Sequence, residues 1–139
     1  MRKLACTLAF AALFVLQGFA QEDFTEGPVW SVTTIRVKPA HGDEYIAALR
    51  HNIKPFWDEA KREGVIMDWK VFVKQTRNSP QDWDIALAVL YKNHAQMDGQ
   101  SAKLEAIRDK LLGKKAAQQA DEKRGEIREV ISTELLSIE

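Results

Sequence analysis

The strongest constraint on the fold is a pair of ten-residue runs, VIMDWKVFVK (Val65–Lys74) and WDIALAVLYK (Trp83–Lys92), joined by a short link. Both runs are rich in β-branched and aromatic residues, and the link holds Asn78-Ser79-Pro80, which is turn chemistry. They predict a β-hairpin. Pairing near Val73 and Trp83 sets odd-numbered residues opposite odd ones. One face then carries Val65, Met67, Trp69, Val71 and Val73 beside Trp83, Ile85, Leu87, Val89 and Tyr91. The other carries Ile66, Asp68, Lys70 and Phe72 beside Asp84, Ala86, Ala88 and Leu90. The first face is bulky and dry, and the second mixes small, charged and apolar groups.

The flanks supply the rest of a sheet and its cover. VWSVTTIRVK predicts a strand over Val29–Lys38, closed by Pro39. Asp43, at the end of the following turn, is placed to cap a helix. From Glu44, the residues Tyr45, Leu49, Ile53, Phe56 and Ala60 form one apolar stripe at helical spacing, with a kink predicted near Lys54 because of Pro55 and an end at Gly64. A second helical region starts near His94, with Met97, Leu104, Ile107, Leu111 and Leu112 as its stripe and Gly113 as an interruption. Lys114–Arg124 reads as a further helix lying loosely at the surface, broken at Gly125, and Val130–Ile138 as a closing strand. The order βαββαβ predicts a ferredoxin-like α+β domain over residues 29–139, a four-stranded antiparallel sheet with both helical regions on one face.

The beginning of the chain reads as an address. Arg2 and Lys3 precede an apolar run from Leu4 to Leu16, and Gln17-Gly18-Phe19-Ala20 offers small residues for cleavage after Ala20. This is the layout of a secretory signal peptide, with too short an apolar run for a bilayer span. A polar arm, residues 21–28, follows. The expected location is therefore the periplasm or the extracellular space, with no membrane attachment after cleavage. Cleavage removes two of the 20 Lys and Arg against 20 Asp and Glu, leaving a net charge near −2 and no field suited to nucleic acid. The only cysteine, Cys6, leaves as well, which excludes disulfides, thiolate nucleophiles and Cys-ligated metals from the mature chain.

VTTIRVKPAHGDEYIAALR, KPFWDEAKREGVIMDWKVF and WDIALAVLYKNHAQMD resemble the dimeric α/β-barrel superfamily of ferredoxin-like domains. The likeness is strongest to secreted bacterial proteins of unassigned activity related to antibiotic-biosynthesis-type monooxygenases and NIPSNAP-like proteins. It implies a homodimer in which two sheets meet face to face and share a barrel. The bulky odd face is then expected under the helices and the even face lining the barrel.

Several residues carry candidate chemistry. Asp68 is the candidate general base, with Arg36 and Lys70 orienting the polar end of a small, partly apolar ligand and Trp69 or Trp83 packing against it. His94 is a further candidate ligand contact. In haem-degrading relatives a His on the second helix, a Trp on the third strand and an Asn on the first form the site, but Val29–Lys38 holds no Asn and His94 stands at the very start of its helix. His41-Gly42-Asp43-Glu44 matches no zinc or calcium spacing. No metal and no cofactor are expected, and no phosphate loop or nucleophile elbow occurs. Two readings remain: an exported ligand-binding dimer with cofactor-free oxygenase or isomerase chemistry, or a non-catalytic structural or stress-related dimer whose barrel is packed shut.

Overall fold

In a computed structural model, residues 27–137 are described. The predicted leader, residues 1–20, and the polar arm as far as residue 26 lie outside them. The elements run β1 (Val29–Val37), α1 (Gly42–Ala48), a π-turn (Leu49–Ile53), α2 (Lys54–Arg62), β2 (Asp68–Val73), β3 (Ile85–Tyr91), α3 (His94–Met97), α4 (Gln100–Leu112), α5 (Lys114–Ile127) and β4 (Arg128–Ser137). The four strands form one antiparallel sheet in the order β2-β3-β1-β4. This is the ferredoxin-like α+β architecture expected from the sequence.

The hairpin keeps the predicted parity with a register two residues further on. Val73 pairs with Ile85, Val71 with Leu87 and Trp69 with Val89. The strands are shorter than the apolar runs for local reasons. Val65 and Ile66 are held on the end of α2, both amides donating to the Ala60 carbonyl, after Gly64 turns the chain at φ 71. The first ladder bond beyond them is from the Met67 amide to the Leu90 carbonyl at 2.8 Å. Before β3, the Asp84 carboxylate accepts the Val37 amide at 2.9 Å, taking the place of a backbone carbonyl, so Trp83 falls outside the ladder.

The first helical arm buries its stripe at Tyr45, Ile53 and Ala60. Pro55 has no N–H to bond the carbonyl four residues back and its ring crowds that carbonyl. The chain answers with the π-turn, in which the Lys54 amide reaches the Leu49 carbonyl, so the predicted kink is a widened turn immediately before the proline. Asp43 is not the cap. His41 occupies the cap position without a side-chain bond to the helix, Asp43 and Glu44 lie in the first turn, and His41 Nδ1 contacts Glu44 Oε2 at 2.8 Å.

The second arm departs from expectation in three ways. Leu111 is exposed, so the stripe ends on Ile107 and Leu112 is only half-buried. Segment 114–127 is no loose surface helix, because Ala117 and Ile127 are fully buried. Gly125 does not break it, and α5 runs on to Ile127, where β4 begins directly.

Two apolar clusters join the helices to the odd face. Ala60, Val65, Ile66, Val89, Tyr91 and Ile107 pack with Phe56, Trp57, Trp69 and Leu87. Ile35, Tyr45, Ile85 and Ile127 pack with Val37, Leu49 and Val71. The bulky face therefore lies under the helices, as predicted. Among the described residues, no helix is long and apolar enough to cross a membrane.

Candidate functional site: the uncovered face of the sheet

With every helix on one side, the even face is left bare, and strand register arranges it as a grid. The first row is Asp68, Leu90, Trp30 and Leu136 across β2, β3, β1 and β4. The second is Lys70, Ala88, Val32 and Glu134, and the third is Phe72, Ala86, Thr34 and Ser132. Ala86 and Ala88 are buried at the centre of this face, whereas Phe72 and Leu136 at its edges are about half exposed. The face thus has small residues in the middle and larger ones around them. Lys70 leans across it, its Nζ 5.7 Å from the centre of the Trp30 ring, a cation–π distance. On the β4 side the Thr34 and Ser132 hydroxyls are 2.8 Å apart.

A charged rim closes one end. Arg36 donates from Nη2 to the Gln81 carbonyl at 2.8 Å and lies 3.5 Å from Glu129. A β-bulge between Thr34 and Ile35 sets Glu129 opposite Arg36. Nearby, Lys74 pairs with Asp82 and stands 4.8 Å over the Trp83 ring, while Arg77 pairs with Asp84. Asp82 titrates below the usual carboxylate range because it accepts from Lys74 and from the Asn78 amide.

These positions separate residues that were expected to act together. Asp68 and Lys70 share the bare face at the β2 edge. Asp68, however, accepts from Lys61 of α2 at 2.7 Å, and this contact, aided by the Trp69 amide, holds its carboxyl below its ordinary value. Arg36 is on the same face but six residues along β1 from Trp30, roughly 20 Å from the Asp68 row at the strand rise per residue. Trp69 points to the helix side, where its Nε1 donates to Asp58 at 3.0 Å and Lys54 Nζ lies 5.8 Å from its ring. Trp83 belongs to the charged rim. His94 is exposed at the start of α3, a four-residue helix capped by the Asn93 side chain. The grouping of Arg36 with Asp68 and Lys70 is therefore corrected by the length of β1, and that of Trp69 by strand parity.

Two features escaped the sequence reading. Trp30 and Glu134 belong to the bare face; alternation along β1 was the signal for Trp30, but Glu134 needed the register of β4. A cleft lies in the helix layer, where Arg108 and Arg124 come together, and no local motif marks it. No cluster of three or more metal-ligating side chains occurs among the described residues.

Fold and face together define a ferredoxin-like α+β domain with one uncovered sheet face. Two solved structures are similar to it. One is HapK from Hahella chejuensis, 11% identical, with 80% of this chain and 92% of that one covered at a TM-score of 0.46. The other is a dimeric protein of unknown function and ferredoxin-like fold from Bacteroides fragilis, 16% identical, with 82% and 97% covered at a TM-score of 0.47. No protein-family model and no curated protein matches the chain.

Proposed function

We propose that the chain is exported, loses its leader near Ala20, and acts as a homodimer whose copies meet through the uncovered sheet face and enclose a small, partly apolar ligand. This follows the arrangement of the dimeric α/β-barrel superfamily that the sequence resembles. The observation that carries it is the uncovered sheet face, with Ala86 and Ala88 at its centre and Trp30, Lys70, Phe72 and Leu136 around them. A monomer leaves Phe72 and Leu136 of this face about half exposed to water, beside Trp30 and Leu90. Facing sheets stack about 10 Å apart, so the short side chains of Ala86 and Ala88 leave room beneath the partner's sheet while the larger side chains close its edges.

The same geometry favours binding over proton transfer. A carboxylate paired to Lys61 and held below its usual pKa is a weak base, so Asp68 serves as an edge anchor in this reading. Lys70, on β2 beside the Trp30 ring, meets the ligand's polar end.

Native mass spectrometry of the chain purified from a periplasmic extract tests the proposal. A dimer starting at Gln21 and carrying additional bound mass is the expected result, and Asp68→Ala keeps both. A dimer without bound mass replaces this reading with the packed, non-catalytic one. A monomer removes the shared barrel and its ligand together.

A further inference from the structure

A cleft of about 520 Å³ opens between the first helical arm and α4–α5, on the opposite side of the sheet from the uncovered face. Its apolar wall comes from Ile53, Phe56, Leu104, Leu112 and Ile127. Its polar wall is a knot of three half-buried side chains. Arg108 Nη1 donates to Asp121 at 2.6 Å, and Arg124 Nη2 donates to the other oxygen of the same carboxylate at 2.5 Å. Two guanidinium groups thus share one close acceptor. Glu105 and Asp109 stand further from Arg108, at 3.9 and 3.7 Å. Glu44, also on the cleft, has both oxygens engaged, by His41 at 2.8 Å and Lys123 at 2.9 Å.

Two donors of the knot lack close partners, and Asp109 Oδ1, 3.7 Å from Arg108 Nη2, is likewise buried without a hydrogen bond. The Nε donors of Arg108 and Arg124 are both buried without a hydrogen-bond partner. Buried donors on charged groups are costly to leave unpaired. Burial of Arg124 and the nearby charge of Arg128 both disfavour its protonated form, while Asp121 favours it. An apolar cleft of this volume with a few convergent polar groups is of ligand-binding size. A guanidinium fork matches a carboxylate through two parallel hydrogen bonds, and the apolar wall beside it suits a carboxylate that carries a hydrocarbon chain.

We propose that the cleft between the two helical arms is a binding site for an amphipathic carboxylate, whose apolar chain lies along Ile53, Phe56 and Leu104 and whose head group is held by Arg108 and Arg124. The site is independent of the sheet face and of any dimer formed there.

A residue-resolved NMR titration of the purified chain with sodium decanoate, and with decan-1-ol as the neutral counterpart, tests it. Saturable amide shifts centred on Ile53, Leu104 and Ala120 are expected, with decan-1-ol binding about tenfold more weakly for want of the charged head group. Arg124→Gln weakens decanoate by about the same factor and leaves decan-1-ol unchanged. Should that variant fail to fold, Arg108→Lys, which keeps the charge and loses the fork, gives the same comparison. Shifts confined to Lys70, Ala88 and their neighbours, or no saturation, overturn the cleft as a site. Equal affinity for acid and alcohol overturns the role given to the arginines.

Discussion

Glu59 ties the two helical arms together through a single carboxylate. It accepts from Arg62 Nε at 2.7 Å on its own helix and from Lys110 of α4 at 2.8 Å, and its side chain is only 15% exposed. These contacts, Arg62 first and then Lys110, lower its pKa from 4.5 to about 2. A carboxyl with a depressed folded pKa stabilises the native state above its unfolded pKa, and that contribution is lost as pH falls through the folded value. Glu59→Gln should therefore lower Tm most above pH 4.5, and the gap to the parent should close as pH falls towards about 2. Thermal melts of the two proteins across that range, at low salt to limit screening, check the outcome. A gap independent of pH would assign the effect to packing. Tyr45 works at the same scale without charge: it is fully buried, and its hydroxyl accepts from Arg128 Nη1 at 3.3 Å, joining α1 to the start of β4.

At the scale of the element, two glycines of the second arm have opposite roles. Gly113 separates α4 from α5 at φ 78 and ψ 145, a conformation open in practice only to glycine. Gly125 sits inside α5 with helical geometry. An added Cβ meets nothing within 4 Å at either site, so backbone conformation alone decides the effect. Gly113→Ala should cost about 1–3 kcal/mol in urea denaturation. Gly125→Ala should stabilise by about 0.5–1 kcal/mol, because the unfolded chain loses freedom and the helix loses a weak residue. Both glycines read as breakers in the sequence, and one of them is not. Ala117 and Ile127, on either side of Gly125, are both buried, and packing carries the helix through a residue of poor propensity.

For the whole molecule, the bare face has a charge pattern suited to a two-fold pair. Lys70 on β2 and Glu134 on β4 occupy opposite ends of one row, with Ala88 and Val32 between them. A two-fold axis parallel to the strands sets Lys70 of each copy against Glu134 of the other, and does so twice. In the proposed dimer, Lys70→Glu should weaken self-association, and Glu134→Lys on that background should restore most of it. Sedimentation equilibrium of the single and double variants measures this. A double variant as weak as the single one would reject this axis. Phe72 on β2 and Leu136 on β4 are each about half exposed on the same face, so association should also depend on apolar contact there.

What the sequence determined by itself is what depends on period. Alternation in two runs and a helical stripe at Tyr45, Leu49, Ile53, Phe56 and Ala60 were enough for the element order, the α+β class and the face that the helices cover, since these follow from how often apolar groups recur along the chain. Tertiary structure decided whatever depends on distance between elements. The length of β1 put Arg36 at the far end of the face from Asp68, and the reach of Lys61 from α2 gave Asp68 a partner that no strand pattern contains. The crossing of α4 and α5 brought Arg108 and Arg124, sixteen positions apart in the chain, to one carboxylate. Periodicity shows which way a side chain points. What it meets there is settled by strand register, helix packing and the competition of buried polar groups for partners, none of which is written in neighbouring residues.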